Sequence, residues 1–255
     1  MQLMSDVDNQ KKTPLHVAVE NGCCKAAKLL IDKGATHTVP KTCHSTPLHL
    51  AAISGNIEIL RLLTGNLNVC IDVKDCDDMT PLHHAAAHNQ WATVEFLLKL
   101  VVDELIKNNG ELVIHEDDGE NTALHLAASN GHMSTAQALI DAKANVAARN
   151  RALWTPLDCA AAKGKVDVVK VLLDAGGPIE NRDKNNNTPL LLASERGHVS
   201  VVNTLIERGA NVAVKDRNGL NCLDVAIKQG HKYVTTIMTV KETHAKQIRK
   251  PNDLF

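Results

Sequence analysis

A short phrase recurs along this chain at nearly constant spacing, and the recurrence limits the possible folds more than any other feature. Its clearest example begins at Thr80 and reads Thr-Pro-Leu-His-His-Ala-Ala. Further copies begin at residues 13, 46, 122, 155 and 188, with a degenerate seventh at 221. The successive intervals are 33, 34, 42, 33, 33 and 33 residues. A fixed period in this range indicates stacked repeats rather than a conventional globular core.

Each copy of the phrase predicts the start of a short helix. Thr suits the N-cap, because its hydroxyl accepts a hydrogen bond from a backbone N–H that the first turn leaves unpaired. Pro follows in five copies and is favoured at the first helical position, where no N–H is needed. A Leu two residues into the phrase and an Ala three residues later occur in all seven copies. This spacing places both side chains on one helix face.

The ninth residue after the Thr predicts where this helix ends. Six copies have Gly there and the third has Asn89, the two residue types that most readily adopt the left-handed conformation. A large apolar residue, seventeen positions after the Thr, then recurs in every copy and predicts a second helix. Each repeat is therefore predicted as helix, tight turn, helix and polar connector.

The phrase Thr-Pro-Leu-His-x-Ala at a 33-residue period resembles the ankyrin-repeat family, over residues 8 to 239. The resemblance implies an all-α solenoid of antiparallel helix pairs, with β-hairpin-like fingers projecting from one edge. It places one ankyrin-repeat domain at residues 1–240, with seven repeats. Residues 241–255 remain as a polar, basic tail.

The third repeat departs from the period, because the next Thr follows 42 residues later instead of 33. The simplest interpretation of these nine extra residues is a second helix two turns longer than the others, ended by Asn109-Gly110. Insertions in repeat proteins lie on one face and often bind ligands. The alternative is a tolerated insertion around residues 99–112 without a role.

Composition excludes several classes of function. The chain has 28 basic and 29 acidic residues, and this balance argues against nucleic-acid binding. No run approaches the roughly 18 apolar residues that span a bilayer, and no secretory leader begins the chain. Seven scattered cysteines without a C-x-x-C motif favour reduced thiols. We therefore expect a cytoplasmic or nuclear, monomeric protein that inserts in no membrane and holds no cofactor.

Neither the histidines nor the acidic connector predicts chemistry. Of 13 histidines, His16, His49, His83 and His125 share one slot of the phrase, which supports neighbouring turns in the ankyrin family. The connector at residues 65–79 contains two Cys and four Asp, but its spacing lacks paired zinc ligands, so we interpret it as a solvated acidic finger. No nucleophile motif or phosphate-binding loop is present. The sequence therefore predicts neither an enzyme nor a metal site.

Binding of another protein is the function that the repeats favour. A stack of equal repeats presents a long concave face of first helices and fingers, where residues without a core role vary between copies. Trp154, just before a repeat Thr, is interpreted either as an interface anchor or as packed on a neighbouring finger. The predicted interface residues are His84, His88, Asn130, Trp154, Lys163, Lys184, Glu195 and Arg217.

Two further expectations come from resemblance. Asn145 and Asn211 each follow a repeat Leu by six residues, which resembles the sites that an asparaginyl hydroxylase modifies in ankyrin repeats. The alternative is that both are ordinary repeat positions. The array, its scattered thiols and the last repeat are also similar to the ankyrin regions of TRPA-type cation channels. That resemblance implies an alternative function as the cytosolic sensing region of a larger membrane protein.

Overall fold

A computed structural model describes residues 7–9, 11–35, 45–65, 70–108 and 115–248. Fourteen helices and no β-strand lie within these ranges. The chain divides into an N-terminal unit, Met1–Ala127 with His132–Asn145, and a C-terminal unit, Ala128–Gly131 with Val146–Phe255. The sequence predicted one continuous domain, and we describe the two units separately.

The N-terminal unit is built from helix pairs stacked on one another. The first helices α1, α3 and α5 pack in a row, as do the second helices α2, α4, α6 and α8. Helix α7 begins in this unit. The helices are α1 (Pro14–Glu20), α2 (Cys24–Asp32), α3 (Pro47–Ser54), α4 (Ile57–Thr64), α5 (Pro81–Ala87), α6 (Trp91–Asn108), α7 (Ala123–Asn130) and α8 (Met133–Asp141).

The C-terminal unit repeats this arrangement with three helix pairs. First helices α9, α11 and α13 pack in one row, and second helices α10, α12 and α14 pack in another. The helices are α9 (Pro156–Ala162), α10 (Val166–Asp174), α11 (Pro189–Glu195), α12 (Val199–Glu207), α13 (Cys222–Lys228) and α14 (Lys232–Ile248). Helix α14 continues eight residues past the predicted domain boundary at 240. The remainder of the predicted tail lies outside the described residues.

The helices begin and end where the phrase predicts. Pro occupies the first turn of five first helices, and the hydroxyls of Thr13, Thr155 and Thr188 accept the backbone N–H three residues later. The six repeat glycines have φ between +67° and +83°, and Asn89 has +59°. Because L-residues with a Cβ pay for this conformation, the recurrent Gly has a direct backbone cause.

The core is a series of thin apolar layers. The phrase Ala is at most 7% exposed in all seven repeats, which lets neighbouring first helices approach closely. The phrase Leu is at most 2% exposed in five repeats, whereas Leu82 and Leu223 are half-buried. Helix α6 has 18 residues against 9 for α8, which confirms the longer second helix of the third repeat. The Asn109-Gly110 turn lies outside the described residues.

Candidate functional site

The phrase histidines hold adjacent repeats together. The Nδ1 atom of His49 accepts the N–H of Thr46 at 3.1 Å, and its Nε2 atom donates to the carbonyl of Met79, 3.1 Å away. His16 and His83 make the same pair of contacts, reaching Ser45 and Asn121 in the next connector. Because Nδ1 accepts a backbone N–H, it carries no proton; the one ring proton is on Nε2, and the rings are neutral. This confirms the structural role predicted for the slot.

Burial gives these rings a pKa well below the ordinary value. It lowers the pKa of His49 to about 4, although the Met79 carbonyl opposes the shift. The pKa of His83 is lowered for the same reason. A neutral imidazole at physiological pH suits a hydrogen-bonded strut.

Asp158 occupies the same slot in the fifth repeat, and no role was predicted for it. Its Oδ2 accepts three hydrogen bonds: from Thr155 N at 2.7 Å, from Thr155 Oγ1 at 2.7 Å and from Asn181 Nδ2 at 2.6 Å. Its Oδ1 is buried without a hydrogen-bond partner in the described structure. Burial raises the pKa of Asp158 to about 6, against the opposing hydrogen bonds from Thr155 and Asn181. The signal was in the phrase itself, because Asp158 lies three residues after Thr155.

The histidines that follow the turn glycines also link repeats. The Nε2 atoms of His132, His198 and His231 lie 2.8–3.1 Å from carbonyl oxygens at the end of a preceding first helix. The carbonyls belong to Ala87, Ala162 and Glu195. The three histidines therefore share one structural role at one position of the repeat.

Each described finger is closed by an Asp or Asn five residues before the repeat Thr. In the Asp183 finger, Oδ1 accepts the N–H groups of Asn185 at 2.7 Å and Asn187 at 2.8 Å, and the backbone N–H of Asp183 donates to Asn187 O. The other residues of this kind are Asp8, Asp75, Asp117, Asn150 and Asp216. This recurrence was not predicted, although it has the same period as the phrase.

Neighbouring fingers of the C-terminal unit are joined by backbone hydrogen bonds. The N–H of Lys184 donates to Ala152 O at 3.3 Å, and the N–H of Arg217 donates to Asn185 O at 2.9 Å. The guanidinium groups of Arg149 and Arg217 donate to the carbonyls of Arg182 and Lys184, respectively. The three fingers therefore form a connected row.

Trp154 lies within this row. Its side chain is half-buried, and the indole N–H donates to Asp183 Oδ2 at 3.0 Å. The ring therefore contacts the next finger, as one of its two interpretations proposed. A contribution of Trp154 to partner binding stays a prediction.

Asp75, which contacts His84, corrects in part the interpretation of the acidic connector as a solvated acidic finger. His84 Nε2 lies 2.7 Å from Asp75 Oδ2, with the two side chains only 15% and 6% exposed. Burial alone would raise the pKa of Asp75, but the hydrogen bonds from His84 and from the backbone of Asp77 and Met79 lower it. The other acidic residues there, Asp72, Asp77 and Asp78, are half-buried or exposed. His84 was predicted at the interface, and this contact leaves it little surface for a partner.

The remaining predicted interface residues are exposed. His88 lies one turn after His84, and its Nδ1 is 2.9 Å from the His84 carbonyl oxygen. The other exposed residues of this predicted interface belong to the C-terminal unit: Asn130, Lys163, Lys184, Glu195 and Arg217. Each of them lies either at the end of a first helix or in a finger.

The end of the first helix is the most regular of these settings. The residue eight positions after the start of the phrase is exposed in all seven repeats, and it is polar every time. These residues are Asn21, Ser54, His88, Asn130, Lys163, Arg196 and Gln229. Buried phrase positions keep their identity between repeats, whereas this exposed one changes. A surface of that kind is suited to specific recognition.

The asparagines expected as hydroxylation sites are both exposed. Asn211 closes a turn, since its Oδ1 accepts the N–H of Ala213 at 2.9 Å. In the part of the chain that the structure describes, no three His, Cys, Asp or Glu side chains are grouped so that they could hold a metal ion. Cys70 and Cys76 of the acidic connector are exposed.

Comparison with known families agrees with this geometry. Models described as "Ankyrin repeats (3 copies)" match residues 35–109, 99–183 and 175–247, and one described as "Ankyrin repeat" matches residues 10–40. The chain belongs to the ankyrin-repeat family. Its fold is all-α, and it is a typical protein-interaction module.

Similar proteins include a solved ankyrin repeat domain and a much longer relative. The human ASB11 ankyrin repeat domain has a TM-score of 0.76 at 26% identity, over 89% of this chain and 97% of that one. Neurogenic locus notch homolog protein 1 of Xenopus tropicalis is 31% identical over 61% of the chain, which spans 6% of the relative.

The predicted resemblance to TRPA-type channels is confirmed at modest identity. Transient receptor potential cation channel subfamily A member 1 of Drosophila melanogaster is 29% identical over 59% of this chain, and its Caenorhabditis elegans homolog is 34% identical over 44%. The chain spans 12% and 9% of those two relatives. Among the described helices, none has the length and apolarity to cross a bilayer.

Proposed function

We propose that this chain is a non-catalytic module that binds another protein through the ends of its first helices and its fingers. The observation that carries the proposal is the polar position eight residues into each phrase, exposed in every repeat and different in most. The buried histidines and aspartates, which are residue types common in catalytic sites, have structural hydrogen bonds here. The phrase histidines bridge repeats, and Asp75 and Asp183 close finger turns.

The test is a charge swap that leaves net charge unchanged. Lys163 and Glu195 are exposed at the ends of α9 and α11, which pack against each other. The double variant Lys163→Glu/Glu195→Lys inverts the charge pattern of the proposed surface. Lys170 and Glu207 are exposed on the second helices α10 and α12, so Lys170→Glu/Glu207→Lys is the matched control.

A partner is first isolated by affinity capture from the native cell and identified by mass spectrometry, and its Kd is then measured by calorimetry. We expect the first-helix swap to weaken the complex about tenfold and the control to leave it within about twofold. Equal affinity for all three proteins would contradict the proposed surface.

The comparisons favour a second candidate, the cytosolic regulatory or sensing region of a larger membrane protein. Support comes from the two relatives named as subfamily A cation channels. Sequencing of the native transcript beyond codon 255 tests it. Six apolar segments of about 20 residues would support a channel. A stop codon soon after codon 255 would contradict it.

We further propose that the module is monomeric, is located in the cytoplasm or nucleus, and is hydroxylated at Asn145 and Asn211. Exposure of both asparagines supports the last point. Sedimentation tests the monomeric state, cell fractionation tests the location, and peptide mass spectra of the native protein test the hydroxylation. Unmodified Asn145 and Asn211 would contradict hydroxylation.

A further inference from the structure

The fingers of the C-terminal unit carry a surplus of positive charge. Residues 149–154, 182–187 and 215–220 contain six basic side chains and two acidic ones. All six basic residues are exposed. The chain as a whole is almost neutral, so this surplus is a local property of the finger row.

The two acidic side chains of the row accept hydrogen bonds within the finger row. Asp183 is 8% exposed, and its two carboxylate oxygens accept from Trp154, Asn185 and Asn187. The Asp216 carboxylate accepts the backbone N–H groups of Asn218 and Leu220 at 2.8 and 2.9 Å. Because these oxygens face their own turns, the outer surface of the row is basic.

The basic residues recur with the repeat and form two columns. The first column contains Arg149, Arg182 and Lys215, and the second contains Arg151, Lys184 and Arg217, with successive members 33 residues apart in each. Backbone hydrogen bonds hold the fingers in register, as described above. The backbone positions of the columns are therefore fixed before a ligand arrives, which reduces the entropy lost on binding.

We propose that the two basic columns bind an extended, acidic peptide segment of the partner protein. This assignment rests on the proposed function and adds the chemistry of the partner. Stacked helices lie about 8–10 Å apart, and an extended chain rises about 3.3 Å per residue. A peptide that crosses the fingers thus meets a new pair of basic residues about every third residue. Acidic side chains at that spacing fit the columns.

A peptide is favoured over a nucleic acid because of the rest of the chain. The fingers of the N-terminal unit, residues 70–79 and 115–121, contain eight acidic residues and one lysine. Six of these acidic residues lie outside the turn-closing positions Asp75 and Asp117, so these two fingers do not attract a polyanion. The chain also has only five aromatic residues on which bases could stack.

The probe is a synthetic nonapeptide with Glu at every third position and Gly or Ser elsewhere, tested with the full chain by fluorescence anisotropy. The finger variant is Lys184→Glu/Lys215→Glu, because the finger contacts shown for these two residues use their backbone atoms. The control variant is Lys170→Glu/Lys232→Glu, which reverses two exposed lysines on the second helices α10 and α14. Circular dichroism checks that both variants fold.

We expect the wild type to bind the peptide with an affinity that falls as salt is added. The Kd of the finger variant should be at least about tenfold higher, and the Kd of the control should stay within about twofold of the wild type. No binding by the wild type, or equal loss in both variants, would overturn the inference. Tighter binding of a single-stranded oligonucleotide of equal charge would assign the columns to nucleic acid instead. Self-association that the finger variant abolishes would assign them to a second copy of this chain.

The natural partner separates this inference from the proposed function. If the first-helix swap at Lys163 and Glu195 abolishes binding while the finger variant binds normally, the module binds protein and the basic columns are not its site. If both variants lose the partner and the peptide competes with it, both proposals are supported.

Discussion

One slot of the repeat phrase shows how neighbours determine what a residue does. Three residues after the Thr, His49 is a neutral strut that reaches the next connector, with a pKa lowered to about 4. Asp158 occupies the equivalent position in the fifth repeat and is also fully buried, but burial raises its pKa to about 6. Burial disfavours the charged form in both cases, so it shifts the base downwards and the acid upwards.

Asp158→Asn is expected to remove a pH-dependent loss of stability. Because the pKa of Asp158 rises from 3.8 to about 6 on folding, its contribution is fully present below pH 3.8 and is lost as the pH rises through 6. The free energy of unfolding of the variant, relative to the wild type, should therefore increase by about 2–3 kcal/mol between pH 4 and pH 7. Urea unfolding across this range measures it, with the exposed Asp167→Asn as control. A difference independent of pH would contradict the assignment.

Leu153→Asn is expected to stabilise the protein. Leu153 has φ +62° at a finger turn, where the equivalent residues of the next two fingers are Asn186 and Gly219. A left-handed conformation costs a leucine about 1–2 kcal/mol, and Asn tolerates it better. We expect a gain of about 0.5–1 kcal/mol in thermal or urea unfolding. The adjacent Ala152→Asn serves as control, and a similar gain there would refute the conformational explanation.

At the scale of the helix, the turn between the paired helices depends on a backbone conformation and on a contact. Gly197 lies in this turn, between α11 and α12, and Gly209 follows α12; both have positive φ, at +73° and +91°. A Cβ on Gly197 would lie 2.6 Å from His231 Nδ1, whereas one on Gly209 would meet nothing within 4 Å. Substitutions at the two positions therefore distinguish the cost of the left-handed conformation from the cost of crowding by a side chain.

Gly197→Ala is expected to cost more than Gly209→Ala. The latter carries only the left-handed penalty of about 1–2 kcal/mol. The former also displaces the His231 ring, whose Nε2 lies 2.8 Å from Glu195 O, and the loss of that hydrogen bond adds about 1 kcal/mol. Urea unfolding of Gly197→Ala, His231→Ala and the double variant should show coupling of that size. Additive effects would show that the turn does not depend on the contact.

At the scale of the whole molecule, each repeat within a unit is stabilised by its contacts with the neighbouring repeats. In the C-terminal unit, α12 packs against both α10 and α14, whereas α10 and α14 are separated by it. A substitution should accordingly affect its own repeat and the adjacent ones. The position of a repeat in the row then determines how far the damage extends.

Leu205→Ala and Met238→Ala test this dependence on position. Both side chains are buried at the same repeat position, in α12 and α14, and each truncation should cost about 2–5 kcal/mol. Hydrogen exchange should accelerate throughout α9–α14 for Leu205→Ala, but mainly in α11–α14 for Met238→Ala, because the seventh repeat has only the sixth as a neighbour within this unit. Identical exchange patterns would indicate that the C-terminal unit unfolds as a single cooperative body.

The repeat boundaries, the helix starts and the turns could be read from the sequence because each depends on residues close together in the chain. A Thr at an N-cap or a Gly at positive φ responds to its own backbone, and the 33-residue period repeats that local signal. The family followed from the same signal. The exposed helix-end positions could also be located, since they lie at a constant distance from each Thr.

The tertiary structure decided the properties that depend on contacts between repeats. Trp154 is tied to Asp183, 29 residues away, and Asp158 receives a hydrogen bond from Asn181, 23 residues away. In the C-terminal finger row, Asp183 and Asp216 face their own turns, which leaves the basic columns outside although the composition of the chain is balanced. Burial, a shifted pKa and a surface potential each result from what surrounds a side chain. A local sequence pattern specifies the chain's own turns but not those surroundings.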